Sequence, residues 1–212
     1  SKLPDICTNG RVFYDPKRET VESWVGRLPP SLLVQERHSV AWLQVEHTSD
    51  HRGGEPLGEY EGEFHPLLTR LLRDTDPTPA KTAAVSREIL EIARNHGCGI
   101  GKWLVFCPPQ TVDKTWGRVA QACMDGSLGV SAKVCTSSRA TPGKDHVICV
   151  YCRDSLDLAD LERVLEELID IGAQPVGYKP DIYTLLDLYK GNCYGIRPII
   201  YTDMVERCVN WL

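Results

Sequence analysis

The chain has 212 residues, a hydrophobic share of 42%, a charged share of 25% and a formal net charge of −5. That composition is ordinary for a globular protein of one domain, and the negative balance argues against a general polyanion binder while leaving room for a local basic patch. No run of 18 apolar residues is present, so no membrane-spanning helix is expected. The segment Ser1–Gly10 has no apolar signal-peptide core, and Ser-Lys-Leu at 1–3 is at the wrong end for a peroxisomal address.

Ser1 to Arg18 is polar and mixed and reads as extended or mobile. Glu19 to Leu28 reads as a short helix burying Val21, Trp24 and Val25, ended by Pro29-Pro30. His38 to Glu46 reads as a strand with apolar residues on both faces. Thr48 to Gly62 is an acidic, glycine-rich loop. Phe64, Leu67, Leu68, Leu71 and Leu72 recur at helical spacing, and a second helix is expected from Ala80 to His96, closed by Gly97.

Trp103 to Cys107 is an apolar run of strand length. A helix opens at Thr111 with Val112, Trp116, Val119, Ala120 and Cys123 on one face, and Asp125-Gly126 turns the chain. Two strands follow, Leu128–Thr136 and His146–Cys152, joined by a polar loop as a long hairpin. Asp157 to Ile171 is the clearest helix, with Leu158, Leu161, Val164, Leu165 and Leu168 on one face and acidic residues on the other. Gln174–Lys179 reads as a strand, and Asp181 as the N-cap of a helix Ile182–Lys190. Tyr194–Tyr201 reads as a final edge strand and Thr202–Leu212 as a closing helix with Val205, Val209 and Trp211 inward. The sum is one α+β domain over 1–212, a curved, mainly antiparallel sheet with helices packed on one face.

Nine cysteines are present, most of them within apolar strands or helices, which is how reduced, buried thiols are distributed. An intracellular site, cytoplasmic or nuclear, is therefore expected. Cys149-Val-Tyr-Cys152 lies on a strand that would turn its two thiols to opposite faces, and no second pair completes a zinc site. No metal or cofactor is expected. His47 and His51, with Asp50 or His65, make at best a weak ligand set, because no helix aligns them. Gly97, Gly99 and Gly101 precede a strand instead of following one, unlike phosphate-binding glycines. No hydrolase, kinase, P-loop or metalloprotease motif occurs, and a non-enzyme is expected. Asp181 and Tyr183 could form an acid–base pair, but a helix cap and a buried ring account for them more simply.

Gly-Lys-Trp-Leu-Val at 101–105, Val-Asp-Lys-Thr-Trp at 112–116, Leu-Gly-Val-Ser-Ala-Lys-Val at 128–134 and Val-Ile-Cys-Val-Tyr at 147–151 resemble the second half of the mRNA cap-binding translation initiation factors. Over its whole length, with Tyr-Lys-Pro-Asp-Ile-Tyr-Thr from Tyr178 and Tyr-Gly-Ile-Arg-Pro from Tyr194, the chain is similar to the basophilic leukaemia-expressed protein family. That resemblance implies a fold like that of the cap-binding factors, and no particular chemistry. Those factors grip a methylated guanine between two Trp rings and hold its phosphates with basic residues. No Trp lies between Trp42 and Trp103, so the clamp the resemblance would place there is missing.

The phosphate side is better represented. Residues 102–153 carry seven basic and three acidic residues, a local +4 within a chain of −5. Lys133, Arg139 and Lys144, on or beside the inter-strand loop, together with Lys102 and Arg118, are the candidate RNA contacts. Tyr60 and Phe64 are the candidate stacking rings. The expected function is a non-catalytic module for single-stranded RNA or a nucleotide-like ligand. The alternative is an adaptor that docks a protein on its helical face. Oligomeric state is not read from the sequence.

Overall fold

The computed structural model describes residues 7–47, 60–76 and 78–209. Seven strands form one sheet in the order β1-β2-β3-β5-β6-β4-β7. They are β1 (Cys7–Thr8), β2 (Arg11–Phe13), β3 (Trp42–Glu46), β4 (Gly101–Cys107), β5 (Ser131–Cys135), β6 (His146–Cys152) and β7 (Pro175–Pro180). Every neighbouring pair is antiparallel except β2 with β3. The expected hairpin is present as β5–β6, with Lys133 opposite Cys149.

Alternation divides the sheet into two faces. One carries Val12, Leu43, Val45, Trp103, Val105, Ala132, Val134, Ile148, Val150 and Tyr178, all buried. Helices α1 (Val21–Arg27), α5 (Val112–Met124) and α6 (Leu158–Asp170) cover it, and Met204 of α8 (Thr202–Val209) joins the same core. Trp24 and Trp116 meet between α1 and α5 with ring centroids 6.5 Å apart, and Trp103 Nε1 donates to the Leu161 carbonyl at 3.2 Å. Each such ring contributes about 1.5–3 kcal/mol of burial, so three of them tie the helical layer to the sheet. Cys152 lies in this core while Cys149 faces the other way.

A second apolar cluster joins α3 (Glu61–Arg73), α4 (Pro79–Asn95) and α7 (Asp181–Leu185). It sits where α4 feeds β4 and where β7 runs directly into α7, at one end of the strands. The helices are therefore not confined to one face. Gly97 takes φ +73° after α4, the expected left-handed close.

Several boundaries differ from the sequence reading. The N-terminal segment contributes two short strands, with Val12 fully buried; two- and three-residue strands have too little alternation to be recognised. The first part of His38–Glu46 is not strand: α2 (Gln35–His38) ends there, and β3 begins at Trp42. The final strand reduces to a single bridge, Tyr178 to Ile200. Asp181 does not cap α7 with its side chain, and that helix stops at Leu185 instead of Lys190. The loop residues 48–59, and Trp211 of the closing helix, lie outside the described residues.

Candidate functional site: the second face of the sheet

The face opposite the helical layer is polar and basic. Its small apolar cluster, Ile100, Leu104, Cys149 and Tyr151 with Trp42, Val130, Val147 and Ile199, contains no residue of a described helix. Strand register sets the charged residues beside these. Lys102 on β4 pairs across to Tyr151 on β6 and to Lys179 on β7. Lys133 on β5 lies between Gln44 on β3 and Cys149 on β6. Arg11 on β2 is registered with Trp42. Four cations, Arg11, Lys102, Lys133 and Lys179, thus share one face with two carboxylates, Glu46 and Asp181.

Each lysine is held differently. Lys133 has its ammonium 4.5 Å from the Trp42 ring centroid and 5.3 Å from that of Tyr151, and no carboxylate pairs with it among the described residues. Burial lowers its pKa, since a cation taken from water loses hydration that two ring faces only partly replace. Lys102 pairs with Asp181 at 2.5 Å, with side chains only 12% and 14% exposed. Lys179 lies 4.1 Å from the ring centroid of Tyr189, which is half exposed, and burial lowers its pKa too, with Lys102 adding repulsion. Phe106, 46% exposed, extends the same strand face two residues past Leu104.

The polar groups under the lysines are incompletely satisfied. Gln44 donates from Nε2 to Glu46 Oε1 at 2.7 Å, but its buried Oε1 has no partner, and neither does the buried Ser131 Oγ. Burial raises the pKa of Glu46 and pushes the Cys149 thiol up to about 11, the latter despite the opposing pull of Lys133 and Lys102. A thiol so placed stays protonated at neutral pH and is a poor nucleophile. The face thus sets cations and flat aromatic rings side by side above two buried, unpartnered oxygens.

The five candidate RNA contacts separate. Lys102 and Lys133 come together on this face, Lys133 in mid-strand and not on the loop. Arg139 and Lys144 are exposed on the β5–β6 loop beyond the strand ends. That loop is tied to α2: Ser138 Oγ donates to Glu36 at 2.6 Å and the Arg139 N–H at 3.0 Å, which holds Glu36 at a pKa of about 2. Arg118 stands on α5, on the helical side of the sheet, and donates to the Ile171 carbonyl at 3.0 Å. One ligand on the lysine face does not reach it.

Neither expected stacking ring is free. Phe64 is 1% exposed, inside the second cluster. Tyr60 stacks on His96 with centroids 4.4 Å apart, and its hydroxyl lies 2.7 Å from Cys98 Sγ. The aromatic residues that do border the lysines are Trp42, Tyr151 and Tyr189. Period-2 alternation in β4 and β5 already turned Lys102 and Lys133 away from the core, but the register that sets them near Lys179 and Trp42 is not written in either strand.

The weak histidine set does not assemble: His47 meets the Met124 carbonyl and His65 meets Thr69, while Asp50 and His51 lie outside the described residues. Among the described residues, no group of three His, Cys, Asp or Glu side chains could hold a metal ion. The eight described cysteines are free, and no described helix is long and apolar enough to cross a membrane.

Fold and site together define an α+β domain with a mixed, largely antiparallel sheet and packed helices, with a lysine–aromatic face opposite α1, α5 and α6. Residues 68–187, more than half of the chain, match the family described as Basophilic leukemia-expressed protein Bles03, and the chain belongs to that family. The matched segment holds Lys102, Lys133, Lys179 and Asp181, together with the two glycines that bring the strands close. A Cβ on Gly101 would stand 2.6 Å from the Tyr178 ring, and one on Gly129 would stand 2.0 Å from the Tyr151 carbonyl oxygen.

Proposed function

We propose that the chain is a non-catalytic binding module that takes single-stranded RNA or a nucleotide-like ligand on the lysine face of its sheet. The observation that carries this reading is Lys133, a desolvated ammonium over two aromatic rings with no carboxylate partner among the described residues. A phosphate would supply the missing counter-charge, and Tyr189 and Phe106 offer exposed rings for bases. Adjacent strands are about 4.8 Å apart and residues two apart on a strand about 6.6 Å, so Lys179, Lys102 and Lys133 span roughly 15 Å, enough for two or three nucleotides. A cap-binding-factor-like fold is part of this proposal. The two-Trp methyl-cap clamp is not part of it.

The test is a filter-binding titration of a short single-stranded RNA across salt, with wild type, Lys133→Glu and Lys133→Glu/Lys179→Glu. Three phosphate contacts predict a log–log salt slope of about −2. Duplex RNA should bind less well, because its bases are not available for stacking. Equal binding by wild type and double variant, or affinity independent of salt, would refute the reading. Retention of a protein partner by the double variant, with no RNA binding by wild type, would favour the adaptor alternative. Micromolar, methyl-dependent retention on cap analogue would contradict the absence of a clamp.

A further inference from the structure

A hollow of about 670 Å³ lies away from the lysine face, between residues 78–90 at the start of α4, Tyr183 of α7 and residues 195–201. Its walls include Leu90, Leu156, Ile200 and the rings of Tyr183 and Tyr201. A cavity of this size and character falls within the range of small-molecule sites, which run about 300–1,000 Å³. Two arginines, Arg87 and Arg197, both exposed, stand at its rim. Neither has a carboxylate partner among the described residues. Of the acids whose charge reaches Tyr201, Asp154 pairs with Arg94 at 2.5 Å and Asp203 lies 4.0 Å from Arg207.

Two further groups stand beside the hollow. The Tyr183 hydroxyl is buried, and although Ser86 stands near enough to ease its ionisation, no hydrogen bond closes on it. Arg87 is close enough to Tyr201 to oppose the rise that burial imposes on that phenol. The first turn of α4 also borders the hollow through Thr78 and Pro79 and contains no acidic residue, so its dipole adds to the positive field.

We infer that this hollow is a binding site for a small amphipathic carboxylate, its apolar tail among Leu90, Leu156, Ile200 and the two tyrosines, its carboxylate between Arg87 and Arg197. The apolar walls exclude a fully polar anion such as inorganic phosphate as the preferred occupant, and the paired arginines select against neutral apolar molecules. This site is separate from the lysine face, so each can fail without the other.

The experiment uses the whole chain and the fluorescence of 1-anilinonaphthalene-8-sulfonate, an apolar sulfonate that reports the occupied hollow. Sodium decanoate should displace it, and decan-1-ol should be weaker by at least about tenfold, the worth of one charge-assisted contact. Arg87→Ala/Arg197→Ala should weaken decanoate by about the same factor and leave decanol unchanged. Both arginines are exposed, so the fold should survive, as a thermal melt would confirm. Ala83→Trp, at an exposed position of α4 that borders the hollow, should abolish the dye signal with the melt unchanged. Equal displacement by decanoate and decanol would overturn the inference. So would a double variant that binds decanoate as wild type does, or a dye signal that survives Ala83→Trp. Lys133→Glu should leave every one of these readings in place.

Discussion

Asp181→Asn is the most informative single change. It keeps the size and shape of the side chain and removes the counter-charge from Lys102, which it meets at 2.5 Å in a setting where both side chains are nearly enclosed. At a charge separation of about 3 Å and an effective dielectric of about 20–40, the attraction is about 3–6 kcal/mol, of which dehydration of the two groups takes back a large share. The single variant also leaves Lys102 beside Lys179 and Lys133, both of which feel its charge. A net loss of about 2 kcal/mol is expected, or about 4–8 °C in Tm for a chain of this size. Lys102→Met should cost a similar amount, and Lys102→Met/Asp181→Asn should regain most of it, because two uncharged groups need no hydration. RNA binding should move the other way. Asp181→Asn removes a carboxylate that competes with phosphate for Lys102, so it should bind more tightly with the three-contact salt slope of about −2 unchanged. Urea titrations of the four proteins, paired with filter binding, read both effects. Additive costs across the cycle would refute the coupling, and an Asp181→Asn protein that loses both stability and binding would refute the competition between Asp181 and phosphate.

Gly129→Ala should destabilise by at least about 2 kcal/mol in a urea melt, because its methyl group would collide with the Tyr151 carbonyl that accepts from the Val130 N–H at 2.9 Å; an unchanged midpoint would contradict the close approach. Glu36→Gln should speed hydrogen exchange at Arg139 by loosening the β5–β6 loop while leaving the melt nearly unchanged. In wild type that anchoring is present at neutral pH and should weaken as pH falls below the ordinary 4.5 toward about 2, because the folded carboxylate is the form that accepts these bonds. On the native protein, a thiol reagent should label exposed Cys193 before Cys123 and Cys149, whose thiols burial pushes up to about 12 and about 11; uniform labelling rates would refute that order.

The helices and the hairpin were legible in the chain because each carries its own periodicity. Trp24, Trp116, Leu161 and Leu165 fall on faces that local spacing defines, and they bury as that spacing predicts. Alternation likewise turned Lys102 and Lys133 away from Trp103 and Val134. The motif glycines were visible as residues, but their reason was not: only packing brings Tyr178 against Gly101 and the Tyr151 carbonyl against Gly129.

What the chain alone determined is the class of domain, the order of its main elements and the absence of any catalytic motif in its sequence, since all three rest on neighbours within about a dozen residues. The grouping of the lysines with their partners was decided by tertiary structure. Lys133 meets Trp42 across 91 positions, and Lys102 meets Asp181 across 79, through strand register and through the run of β7 straight into α7. The same long-range packing sent Arg118 to the other side of the sheet and buried Phe64. A charge count along the chain sums residues by sequence distance, whereas a ligand feels them by distance in space.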